Sequence, residues 1–225
     1  MSLYRPLYVA IIRTVCILAR RYPIPPDIAA KTYEYYRRVL LSMTRDLYRG
    51  DISESEFVTQ MADLIQQQLT RAWHEGMRTN GLDPVEDMEE DWLTILDEII
   101  LSEYNYVDAF AADIVDAWNR NQPWEPLLAR AELWANRYND VVNQAIMATK
   151  EQKLKWIYGD TEHCETCAAL NGIVAWASEW ELSGVEPQNP PNAALTCGGW
   201  KCQCRLEPTT ERKTRNAFSR IMAVP

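Results

Sequence analysis

Five of the six cysteines lie between Cys164 and Cys204, and their spacing is the part of the sequence richest in chemistry. Cys164-x-x-Cys167 is followed, after a gap of 29 residues, by Cys197-x4-Cys202-x-Cys204. A CxxC turn presents two thiolates on one side of a tight loop, and a second pair completes a tetrahedral set of soft ligands. The spacing therefore predicts one structural zinc ion on Cys164, Cys167, Cys197 and Cys202, with Cys204 as the alternate fourth ligand. His163 is a further donor beside Cys164. Four thiolates repel one another without a cation, so binding would be coupled to folding. Three other states of the same residues stay open. Disulfides suit an extracellular particle better than a reducing cytosol. Redox or nucleophilic chemistry at CxxC would need the strand and helix of a βαβ unit, which the sequence around Cys164 lacks. Free buried thiols are the third, and Cys16, alone in an apolar stretch, reads as a core residue.

Other catalytic patterns are poor. His74-Glu75 is followed by Gly-Met-Arg, so it is no HExxH zinc site. With His74 and His163 the only histidines, a His-based triad has few candidates. Neither GxSxG, a P-loop nor GxGxxG occurs. Nine tryptophans are many for 225 residues. Trp73, Trp92, Trp118 and Trp134 fall at helical core positions, while Trp176, Trp180 and Trp200 sit among the cysteines, where they would form a miniature core.

The elements that carry these residues divide at about residue 150. Before it, helix follows helix. Residues 7–21 form one candidate, ended by Pro23, Pro25 and Pro26. Asp27 caps the next, which stops at Gly50. Ser53 and Glu56 make a capping box for a helix with Phe57, Met61, Leu64, Ile65, Leu69 and Trp73 on one face, ending at Asn80-Gly81. Asp83-Pro84 opens a helical stretch to Trp118, broken near Ser102, and a last helix covers residues 127–149. After Lys153 the chain is loop-rich, with β-prone pieces at 154–158, 172–176 and 204–206 and few apolar residues for a core of its own; such modules usually need a metal or disulfides. Residues 209–225 read as a basic tail with a short helix at 216–222. The expected fold is mainly α: an elongated multi-helix body over 1–150, a small α+β, zinc-stapled, cysteine-rich module over 151–208, and the tail.

Charge sets limits on function. With 32 acidic and 23 basic residues the net charge is −9, which opposes a dedicated nucleic-acid binder. Its distribution is uneven. Residues 1–49 carry +6 and 201–225 carry +4, while 86–116 hold eleven carboxylates and no Lys or Arg. Trp92, Leu93, Leu96, Ile99 and Ile100 interleave with those carboxylates at helical spacing, as in an amphipathic helix with a solvated acidic face. The longest apolar stretch, residues 7–19, is interrupted by Arg13 and is too short to span a bilayer, which needs about 20 residues; no signal-peptide pattern precedes it. The expectation is a soluble chain made in the cytoplasm.

The segment from Trp156 through Tyr158-Gly159-Asp160, Cys164-Glu-Thr-Cys167 and Asn171-Gly172 to Val174 resembles the C-terminal signature of phage head morphogenesis proteins, the minor head proteins similar to protein F of phage Mu. In that family a Trp and a short acidic stretch precede CxxC, and a proline-containing loop leads to a closing C-x-C motif. Cys202-Gln-Cys204-Arg205 fills the closing place here. Many members carry His-Pro-Asn before it, where this chain has Cys197-Gly-Gly-Trp200. The likeness covers residues 154–208 and extends upstream through the helix with Arg130, Arg137 and Asn143. It implies a virion protein without catalysis, present in the host cytoplasm during assembly. Its partners would be the portal and major capsid proteins, with packaged DNA reached through the basic tail and neither a membrane nor a small-molecule substrate involved. Two other classes compete on the residues: a cysteine-based redox or metal-dependent enzyme, and a zinc-bearing nucleic-acid module.

Overall fold

The computed structural model describes residues 32–159, 163–199 and 203–224. The helix expected at 7–21, Cys16, Asp27, Trp200 and Cys202 lie outside them. The protein is mainly helical, with a small three-stranded sheet and a cysteine cluster towards the C-terminus.

Helix α1 (Thr32–Arg49) stops at Gly50, whose φ of +77° is the left-handed turn a side chain would resist. Helix α2 (Glu54–Thr79) opens with the Ser53–Glu56 capping box and buries all six residues of its predicted face. Helix α3 (Glu90–Tyr104) begins later than Asp83-Pro84 suggested. Asp83 Oδ1 accepts the N–H groups of Val85 and Glu86, so the carboxylate closes a turn rather than starting the helix. The break falls at Asn105-Tyr106, before α4 (Val107–Asn119). Helix α5 (Glu125–Ala148) packs against both α1 and α2. At the α2–α5 crossing, a Cβ on Gly76 would lie 2.5 Å from Ala145 Cβ and 2.7 Å from the Val142 carbonyl oxygen, so glycine sets the helix separation. The body's core joins Phe57, Trp73, Phe110 and Trp134, the last two with ring centroids 4.9 Å apart. Trp118 is not in it. At 53% exposed it packs edge-on against Tyr48 at the surface.

After α5 come β1 (Lys153–Ile157), α6 (Glu165–Leu170), β2 (Val174–Trp176), α7 (Ala177–Ser183), β3 (Arg205–Pro208) and α8 (Ala217–Ile221). Strand order is β2-β1-β3, all antiparallel, with Lys155 opposite both Val174 and Glu207. The module has a second core, fuller than its composition suggested. Trp156 and Trp180 lie 5.6 Å apart, surrounded by Leu154, Leu170 and Leu206, and the Trp180 indole donates to the Leu154 carbonyl. Two contributions from outside residues 151–208 explain the difference. Ile146 and Met147, at the end of α5, insert from the body; Ala217 and Ile221 of α8 return from the C-terminal segment. The Thr214 N–H donates to Val174 O, tying that segment to the edge strand β2. Among the described residues, no helix is long and apolar enough to cross a membrane.

Candidate metal centre

Three of the predicted ligands come together. The sulfurs of Cys164, Cys167 and Cys197 all lie within 4.8 Å of one another. A zinc ion with Zn–S bonds of about 2.3 Å separates tetrahedral sulfurs by about 3.8 Å, so the three positions fit one ion after a small inward movement. The set is chemically apt too: three soft donors, half-buried or buried, beside an apolar core.

Local structure builds each arm. Cys164 is the N-cap of α6 in extended conformation, and its Sγ accepts the Cys167 N–H at 3.4 Å, the geometry that turns two thiols of a CxxC to one side. Cys197 lies on a loop closed by hydrogen bonds from Gly198 N to Leu195 O and from Asn192 N to Gly198 O. Gly199, with φ of +80°, then passes so close to Asn189 that a Cβ would lie 2.9 Å from its carbonyl carbon. A hydroxyl clamp joins the arms. Thr166 Oγ1 and Thr196 Oγ1 are 2.6 Å apart, and the Thr196 N–H donates to Thr166 Oγ1 at 3.0 Å. Each threonine neighbours a ligand cysteine, so the clamp fixes the distance across the two motifs.

Cys204 stands outside the tight set. It is buried, its sulfur is 3.8 Å from His163 Nδ1, and its carbonyl accepts from the Gln188 side chain. The His163 ring stacks on Tyr158 at 3.8 Å, which turns that imidazole towards Cys204.

The thiols are not alike. Burial works against the Cys164 thiolate, but donors from Cys167 and Cys197 outweigh it and hold this thiol below its usual value. For Cys197, burial leads; the Gly199 N–H opposes it, but the nearby Cys164 sulfur adds to it, and the thiol is pushed up. One sulfur is thus predisposed to carry the first negative charge.

A second polar cluster, which the cysteine pattern gave no reason to seek, lies where body meets module. Arg137 of α5 pairs through Nε with Glu103 of α3 at 2.7 Å and through Nη1 with Asp140, and it donates to Asn189 Oδ1 at 3.0 Å. Asp140 is wholly buried. Its Oδ2 also accepts from Gln144, and burial, opposed by Arg137, raises its carboxyl to about 7. One turn on, Asn143 Oδ1 accepts the Leu206 N–H of β3. Both Arg137 and Asn143 lie on the helix through which the sequence resemblance extended upstream, and that was the available signal. Searches against family models, curated proteins and solved structures return no match to this chain.

Proposed function

We propose that the chain is a structural minor head protein of a phage, joining portal and capsid subunits during procapsid assembly, with its C-terminal module stapled by one zinc ion. The observation that carries the reading is the meeting of Cys164, Cys167 and Cys197 within 4.8 Å, in the segment whose sequence resembles the head morphogenesis signature. Two motifs separated by 29 residues meet beside a small sheet, where an ion replaces core that so short a module would otherwise need. The helical body offers long faces for partner helices, and the exposed carboxylates of α3 give one of them a distinct charge. Tagged full-length protein, expressed with the portal and capsid genes from its own locus, is expected to capture at least one of those proteins. Capture of neither removes the proposal.

One observation favours a second reading, a cysteine-based redox or metal-dependent enzyme: the Cys164 thiol is held below its usual value while remaining partly exposed. Alkylation mapping of the native protein separates the two. A structural staple protects Cys164, Cys167 and Cys197 together until a chelator is added. Selective, chelator-independent alkylation of Cys164 supports the enzyme.

A further inference from the structure

The three thiols of the cluster are not equally reachable. Cys167 is 1% exposed and belongs to the module's core, whereas Cys164 and Cys197 are half-buried at its edge and keep part of their surface in solvent. The two reachable thiols stand on different arms. Cys164 is the N-cap of α6, and Cys197 follows the clamp residue Thr196, whose hydroxyl lies 2.6 Å from that of Thr166 on α6. Their sulfurs are within 4.8 Å of each other, and a disulfide places sulfurs about 2.05 Å apart, so bonding asks for an approach of at most about 2.8 Å. A loop can supply that approach, and residues 192–199 form one. Cys167 is placed otherwise. Its backbone is fixed inside α6, and attack on an oxidised partner would draw its sulfur out of the core.

We propose that Cys164 and Cys197 are an oxidation site, at which a peroxide converts the metal staple into a disulfide staple and leaves Cys167 reduced. The proposal rests on the zinc staple of the proposed function and on no particular partner of the chain.

The chemistry takes two steps. Whichever of the two sulfurs meets the peroxide attacks one of its oxygens as a thiolate. The S–O bond forms, the O–O bond breaks, and hydroxide leaves, so that cysteine becomes a sulfenic acid. The second thiolate then attacks this sulfur. The S–S bond forms, the S–O bond breaks, and a second hydroxide leaves. The two sulfurs together give up two electrons, the peroxide is reduced by two, and protons from solvent turn both hydroxides into water. Two thiolate donors are consumed, which frees the ion. The new bond ties the same two arms, so the 192–199 loop stays fastened after the metal has gone. An ion would hold the module where thiols are kept reduced, and a bond would hold it in oxidising surroundings. Because both sulfurs lie at the edge of the core, a dithiol can reach the bond and reverse it.

The test uses the unaltered full-length chain, purified under reducing conditions and assayed for zinc before anything is added. Hydrogen peroxide is then supplied, the freed zinc is followed with a metallochromic chelator, and the remaining thiols are alkylated. Cleavage after glutamate and lysine assigns the bond, because Glu165 separates Cys164 from Cys167 and Lys201 separates Cys197 from Cys202 and Cys204. The expected result is release of the bound zinc in step with one disulfide, which joins the fragment ending at Glu165 to the fragment ending at Lys201. Cys167 is recovered alkylated, and dithiothreitol with added zinc restores the starting state. Hydrogen exchange gives a second readout: residues 192–199 should keep their protection after peroxide, whereas a chelator alone lowers it severalfold. A bond within the CxxC, a bond to Cys202 or Cys204, sulfinic acid without a bond, or zinc retained through the treatment overturns the conversion and leaves the zinc staple standing. Absence of zinc before peroxide is added defeats the staple, and the conversion falls with it.

Discussion

Asp140 is fully buried and shares Arg137 with Glu103, while its second oxygen finds no donor. Desolvation therefore favours the neutral acid, against the pull of Arg137, and the carboxyl titrates at about 7. The unfolded chain releases this proton near 3.9. Stability from this group is complete below about 4 and is lost as pH rises through about 7, at up to about 1.4 kcal/mol per unit. His74 has the opposite sign. Burial, aided by Arg78, lowers it from 6.5 to about 4, so its contribution is present above 6.5 and is lost as pH falls towards 4. The two oppose each other between 4 and 6.5, and Asp140 acts alone above that. In urea denaturation, Asp140→Asn is expected to flatten the decline in stability between pH 6 and 8, and His74→Gln to reduce the loss below 6. A wild-type slope in both variants would refute both assignments. At the thiols, Cys167→Ser removes a buried member of the three-sulfur set. The expected outcome is loss of bound zinc by native mass spectrometry and destabilisation of the module by at least about 3 kcal/mol. Full zinc content in that variant would show that the ion sits elsewhere.

Among the elements, the α2–α5 contact depends on one missing methyl. A Cβ at position 76 would meet the Ala145 side chain and the Val142 backbone, neither of which can swing aside as the end of a flexible chain can. Gly76→Ala is expected to cost about 1–3 kcal/mol in chemical denaturation despite alanine's better helix propensity. A stabilised variant would mean that the helices have room to part. This residue also marks the limit of what the sequence reveals. Helix existence was plain from periodicity and punctuation: Ser53 with Glu56, Asn80-Gly81 and Gly50 each mark a boundary that the structure keeps. Those signals are local. Nothing local shows that Gly76 faces Ala145, that Trp118 lies outside the core, or that Asp83 closes a turn instead of capping a helix. The site divides in the same way. The cysteine pattern announces itself through spacing, and the two CxxC thiols do meet a third, Cys197. Arg137 is one arginine among many until α3, α5 and the 186–191 loop converge on it, and a convergence of distant segments leaves no periodic trace.

At the scale of the whole molecule, the body and the cysteine module are joined more tightly than a boundary at residue 150 implies. Helix α5 belongs to both: Ala145 faces the body's core, while Ile146 and Met147 enter the module's. Polar links reinforce the joint, from Asn143 to Leu206 N, from Arg137 to Asn189, and from the Gln152 side-chain amide to Asn80 Oδ1. Two outcomes of metal removal follow from two parts of this construction. The loop carrying Cys197 is held by the thiols, the Thr166–Thr196 clamp and Leu195, so without the ion it should open first. The sheet and the Trp156–Trp180 pair have their own apolar contacts and the anchorage of α5 and α8, so they should loosen without dissolving. Hydrogen exchange on the full chain with and without a chelator measures both. Protection is expected to fall most over residues 192–199 and 164–170, by a smaller factor in β1 and β3, and hardly at all in α1 and α2. Protection lost evenly through α5 into the body would instead show that module and body fold as one cooperative unit, with the staple supporting both. An unchanged module would mean that its apolar core suffices without the ion, leaving the three thiols available for chemistry.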